Sequence, residues 1–196
     1  MSIRTDEFMR NIPILLILVI FLQPSILLAD DLERHPLFKI ERSKNANILQ
    51  YDAQIRPDGA LDKKKPVVVY WVRLAEQGQI KKLSWIQRVF AYGFKTRQDP
   101  RSDSVSLDMA VDIGQPVKVQ RVNGVYRATL TIDDRLMVLE RIYIRTIENG
   151  LLTKVKSIEL FGWGADDDEV MYERLEPCGK SSKSFCKPRT HTEGDR

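Results

Sequence analysis

From residue 104 to 113 polar and apolar positions alternate: Val105, Leu107, Met109, Val111 and Ile113 against Ser104, Ser106, Asp108, Ala110 and Asp112. A period of two places successive side chains on opposite faces, so the stretch predicts a strand with one face buried. Related patterns fill most of the chain. Phe38 and Ile40 alternate with Lys39 and Glu41, and residues 48–53 follow the Asn45-Ala46-Asn47 turn. Arg56-Pro57-Asp58-Gly59 is a turn by its chemistry, because proline presets one φ and glycine permits a positive one. Residues 66–74 are β-branched and aromatic on both faces, as in a central strand. Residues 117–122 and 125–132 flank Asn123-Gly124, a strong two-residue hairpin signal. Residues 136–147 and 151–161 flank Asn149-Gly150, and 170–175 ends the series.

One segment has a helical period. In residues 83–93 Ser84 and Gln87 have capping-box spacing, and Trp85, Ile86, Val89 and Phe90 share a face. Gly93 is placed to end that helix in a left-handed conformation. Roughly nine short strands with tight turns predict a mainly β fold. The expected architecture is an antiparallel meander forming a barrel (lipocalin-like) or a two-sheet sandwich, with one short helix.

A different pattern governs the N-terminus. Arg4 and Arg10 precede an apolar run from residue 12 to 22, and Ser25-Ile26-Leu27-Leu28-Ala29 follows. Basic start, short apolar middle and small terminal residue are the order of a signal peptide. Pro13, Gln23 and Pro24 interrupt the run and suit cleavage better than a spanning anchor of about 20 residues. The expected organisation is a signal peptide over 1–29, one β-rich domain over 30–177, and a flexible basic tail over 178–196. The expected location is periplasmic or secreted.

Charge narrows the partners. The chain has 31 Lys+Arg and 27 Asp+Glu, a net of +4. The tail carries Lys180, Lys183, Lys187, Arg189 and Arg196 against Glu193 and Asp195, which is +3 of that total. The body therefore reads as nearly neutral and no nucleic-acid partner is expected. Membrane contact is expected only through the N-terminal segment before cleavage. The two cysteines, Cys178 and Cys186, are expected to form a disulfide closing a short loop, as pairs do in exported proteins.

Catalytic motifs are sparse. His35 and His191 lie outside the predicted strands, where no scaffold holds an imidazole for nucleophilic chemistry. The acidic run 166–169 lacks the alternate spacing of a calcium loop and reads as a solvated loop. No catalytic residue, metal ligand or cofactor is assigned. The more pointed signals are charges on apolar strand faces: Arg73 beside Val67, Val69 and Trp71, Glu140 among Leu136, Val138, Ile142 and Ile144, and Glu159 beside Val155 and Phe161. If those faces point inward, Arg73 and Glu140 pair inside the body, as buried charges must. Aromatic residues gather around the helix, as a plug for the core or as a lid. The candidate ligand-binding set is Tyr70, Trp71, Arg73, Trp85, Arg88, Tyr92, Glu140 and Glu159.

Residues 38–47 (FKIERSKNAN), 69–74 (VYWVRL), 83–88 (LSWIQR) and Ala91-Tyr92-Gly93 resemble a bacterial family catalogued as domain of unknown function 4833. The resemblance runs from about residue 38 to 176. It implies a single exported domain and brings no activity, cofactor or assigned site. The expected function is binding of a small apolar or amphipathic ligand or of an envelope component. The alternatives are a histidine-independent enzyme using carboxylate and arginine chemistry, such as Glu140 with Arg73, and a structural partner-binding protein with a filled core.

Overall fold

A computed structural model describes residues 32–149, 152–167, 169–178 and 184–188. The expected signal peptide lies outside the described residues. The strands are β1 (Glu33–Arg42), β2 (Asn45–Ile55), β3 (Val67–Arg73), β4 (Gln79–Lys82), β5 (Phe94–Gln98), β6 (Val105–Met109), β7 (Val117–Val122), β8 (Val125–Ile132), β9 (Arg135–Asn149), β10 (Leu152–Trp163), β11 (Val170–Pro177) and β12 (Phe185–Cys186). Between β4 and β5 lies the helical turn α1, α-helical over Trp85–Gln87 and π-helical over Arg88–Tyr92. The fold is mainly β, as the alternation predicts.

The strands form one sheet in the order β4-β3-β2-β1-β9-β8-β7-β6-β5, with β10 and β11 continuing from β9. Two hairpins form where their turn residues place them, while the expected Asn149-Gly150 turn falls partly outside the described residues. Asn123 and Gly124 both have positive φ, at 50° and 82°, which is the geometry that joins two strands without splaying them. Asp133 and Asp134 do the same at 48° and 64°. One pairing departs from the expected antiparallel meander: β1 runs parallel to β9, with Lys39 opposite Arg141 and Arg42 opposite Ile144.

β9 organises the sheet. One of its edges pairs with β10 from Val138 to Asn149. The other pairs first with β8, through Arg135 to Val138, and then with β1, through Arg141 to Ile144. The sheet forks where β8 leaves and β1 joins, so its arms curl toward each other. The core fills the space between them. Phe38 and Tyr51 stack at 4.4 Å, and Tyr51 meets Phe94 of β5 at 6.0 Å. The Tyr51 hydroxyl donates to the Tyr92 carbonyl at 2.7 Å. The void among Ile40, Met109, Ile142 and Ile158 is about 10 Å³, no room for more than one water. The result is a strongly curled open half-barrel. Its interior is packed with side chains there.

Two local expectations are corrected. The apolar residues of α1 do not face the core: Trp85, Ile86, Val89 and Phe90 are all exposed. The capping box does form, with Ser84 and Gln87 satisfying each other's backbone N–H groups, but the turn then widens and carries its apolar side outward. Gly93 is extended (φ −82°, ψ 179°) and not left-handed. Glycine is needed there for close approach, because a Cβ would collide with the Arg88 carbonyl. Of the segment read as a tail, residue 178 and residues 184–188 are described, and these are docked. Cys178 and Cys186 are bonded, with Cα atoms 5.7 Å apart, β12 pairs with the end of β11, and Phe185 is buried in the core.

Candidate functional site

Turn α1 joins β4 to β5, the two ends of the sheet order, and so bridges the open seam of the half-barrel. Its position is fixed at both ends. Leu83 is buried, the Trp71 indole donates to Gln87 Oε1 at 3.3 Å, and the Tyr92 ring meets Trp71 edge-on at 5.4 Å. A cleft opens on either side of β4.

The seam cleft, of about 500 Å³, lies between β3, β4 and β5. Val67, Val68, Val69, Ile80 and Phe94 form apolar walls, and Arg34, Lys65, Lys82 and Arg88 surround them. Among the described residues none of its lining carries a carboxylate, although Tyr70 binds Asp52. The volume is in the range of small-molecule sites. The end cleft, of about 540 Å³, is lined by Arg42, Trp71, Arg73, Lys81 and Lys82 with Asn45, Asn47 and Gln87. Arg42 lies over both Trp71 and Tyr92, at 5.1 and 5.2 Å, and donates to the Tyr92 hydroxyl. Lys82 borders both clefts. A third cleft, about 430 Å³ between residues 61–66 and 98–105, mixes charges of both signs. Its Asp99 carboxylate is already held by the Arg101 N–H and the Ser102 hydroxyl.

Tyr70 lines the seam cleft and donates to Asp52 Oδ2 at 2.5 Å. Burial, and then this hydrogen bond, push its phenol from 10.0 up to about 12. The folded protein holds that proton more tightly than the unfolded chain, so the contribution is complete below pH 10 and is lost as pH rises toward 12. Tyr70→Phe should therefore flatten the alkaline fall of the urea midpoint between those values. Parallel slopes for the two proteins would contradict the assignment.

Five of the eight candidate residues gather here. Tyr70 and Arg88 line the seam cleft, Trp71 and Arg73 the end cleft, and Tyr92 packs behind Trp71. Trp85 stands out in solvent. The two glutamates are elsewhere, and the Arg73–Glu140 pair does not form. Arg73 binds Glu76 instead. Glu140 is an exposed bulge residue: pairing with β10 passes from Leu139↔Gly162 to Arg141↔Phe161 and skips it. The bulge inverts the strand's phase. Met137 and Leu139 belong to the core before it, Ile142 and Ile144 after it, while Val138 is buried outside that core. β3 also lies three strands from β9, about 14 Å at the usual spacing. Glu159 is buried, but it binds Arg145 on a neighbouring strand, apart from both clefts. The carboxylate–arginine chemistry considered for the chain thus loses the pair named as its example.

Sequence reasoning missed Arg34, Arg42, Lys65, Lys81 and Lys82. A signal was available: residues 77–98 contain Lys81, Lys82, Arg88, Lys95 and Arg97 and no Asp or Glu. The body, read as neutral, has a local basic face there. Among the described residues no helix is long and apolar enough to cross a membrane.

The family model for a domain of unknown function, DUF4833, matches residues 38–174. The chain belongs to the DUF4833 family. Its match spans the sheet from β1 into β11 and includes α1 and most of both clefts, while Arg34 and the Cys178–Cys186 bridge lie outside it. No curated protein and no solved structure matches the chain. The DUF4833 match brings no activity to the clefts, so their chemistry rests on their own residues.

Proposed function

We propose that this DUF4833 domain binds an anionic amphiphile, a small molecule with an acidic head and an apolar body, in the seam cleft. The observation that carries the reading is the lining itself: four cations around apolar walls, with no carboxylate among them. An apolar body gains by leaving water against Val67, Val69, Ile80 and Phe94. An acidic head meets Lys82 and Arg88, neither of which has an ion pair among the described residues. The setting proposed is outside the cytoplasm. The basic start and apolar run of the first 29 residues and the Cys178–Cys186 bridge support it.

The test is calorimetric titration of the full chain with a medium-chain alkyl phosphate, and with an alkyl maltoside of equal chain length. The phosphate should bind and the maltoside should not. Lys82→Glu with Arg88→Glu should weaken the phosphate at least tenfold, about 1.4 kcal/mol. Equal binding of the two amphiphiles, or indifference to the double charge reversal, rejects the reading.

The packed interior favours a second reading, in which the domain works through its outer surface on a larger partner. The observation for it is the exposed apolar side of α1.

A further inference from the structure

We propose that turn α1 docks this domain onto a bilayer surface rich in anionic phospholipid. The inference stands on the exposed side of α1 and does not need the ligand assigned to the seam cleft, although the two share Lys82 and Arg88.

Trp85 is 68% exposed and Phe90 71%, and Ile86 and Val89 between them are also open to solvent. The Trp85 and Phe90 rings contact each other at 6.4 Å, so the four side chains form one apolar cap. Folded proteins seldom leave such a group in water without a use for it. The cap is presented on a fixed base. The capping box closes its first turn, Gln87 holds the Trp71 indole, and Tyr92 packs against the core. Little ordering remains to be done when the cap meets a partner, which favours association.

The surroundings select the partner. Residues 77–98 carry five cations and no carboxylate. Arg97 is bound to Asp108, but Lys81, Lys82 and Arg88 have no ion pair among the described residues. A protruding tryptophan and phenylalanine with aliphatic neighbours and a basic surround match a membrane interface. There aromatic rings sit at headgroup depth, and lysine and arginine meet phosphate and carboxylate groups. A second copy of the chain fits poorly, because a symmetric contact would set this basic surround against itself. A nucleic acid would engage the cations but leave the aliphatic side chains without a partner.

The experiment reads Trp85 alone, so any binding through the apolar run near the N-terminus does not count. The full chain and its Trp85→Phe variant are mixed with phosphatidylglycerol vesicles, with phosphatidylcholine vesicles, and with brominated forms of each lipid. The emission difference between the two proteins is the Trp85 signal. On phosphatidylglycerol that signal should shift to the blue, lose accessibility to acrylamide and be quenched by the brominated lipid. On phosphatidylcholine it should stay as in buffer. Lys81→Glu with Lys95→Glu, both at exposed positions, should weaken the response, and raised salt should do the same. A Trp85 signal that stays open to acrylamide on phosphatidylglycerol overturns the proposal. So does an equal response on phosphatidylcholine, or equal protection by a single-stranded oligonucleotide.

Discussion

Phe185→Ala should destabilise the domain by about 3–5 kcal/mol, the range for deleting a buried aromatic side chain. Phe185 is only 3% exposed although it belongs to a segment whose sequence reads as tail. Its N–H donates to the Asp112 carbonyl at 3.2 Å, and the Ser184 hydroxyl reaches Asp112 Oδ2 at 3.0 Å. The disulfide and the short β11–β12 pairing return the chain to the body just there. A guanidinium denaturation midpoint, taken with the bridge intact, measures the effect. A loss below about 1 kcal/mol, the level of an ordinary surface change, would mean that the segment does not dock in solution.

The second large effect belongs to the β9–β10 bulge. Gly162 faces Leu139 across the ladder. A Cβ on it would lie 2.7 Å from the Val138 carbonyl oxygen and from Ile132 Cδ1, and 3.1 Å from Met137 Cβ. Backbone cannot swing aside as a lysine tip can, so Gly162→Val should cost about 1–3 kcal/mol or more through overpacking. Glu140→Leu, one residue along β9 at the exposed bulge, should stay within about 0.5 kcal/mol of wild type. Thermal melts of the two variants compare them directly. Strong destabilisation by Glu140→Leu with tolerance of Gly162→Val would place the bulge elsewhere and return Glu140 to the interior.

These two sites mark the boundary of what the chain reveals before it folds. Strands with an unbroken period of two, such as residues 105–109, were legible, as were turns whose chemistry is local, such as Asn123-Gly124 and the Ser84–Gln87 cap. A bulge has no comparable signature. It costs one residue of pairing and is decided by the neighbouring strand, so the alternation read through Leu136, Val138, Glu140 and Ile142 was out of phase over its first half. β4 and β5 are polar, exposed edge strands, and hydrophobic pattern does not reveal them. Turn α1 is a different case. Spacing places its apolar residues on one face but leaves a core plug and a lid both open, and only the fold shows that this face points to water. The clefts combine β1, β3, β4 and α1, whose proximity depends on pairings between distant segments. The one part of them written locally was the run of cations without carboxylates.

The parallel contact of β1 with β9 has a kinetic consequence. Lys39 and Arg141 are about a hundred positions apart, and no short turn can bring them together. The β1–β4 arm can zip locally as hairpins, and so can β5–β8, but neither has its final neighbour until β9 is present to receive both. Closing so long a loop must be accomplished before its contacts repay it, which makes the joining of the arms the slow event and leaves the β1 edge open meanwhile. During synthesis the first arm therefore waits for the last third of the chain, and assembly of the core is governed by the arrival of one strand.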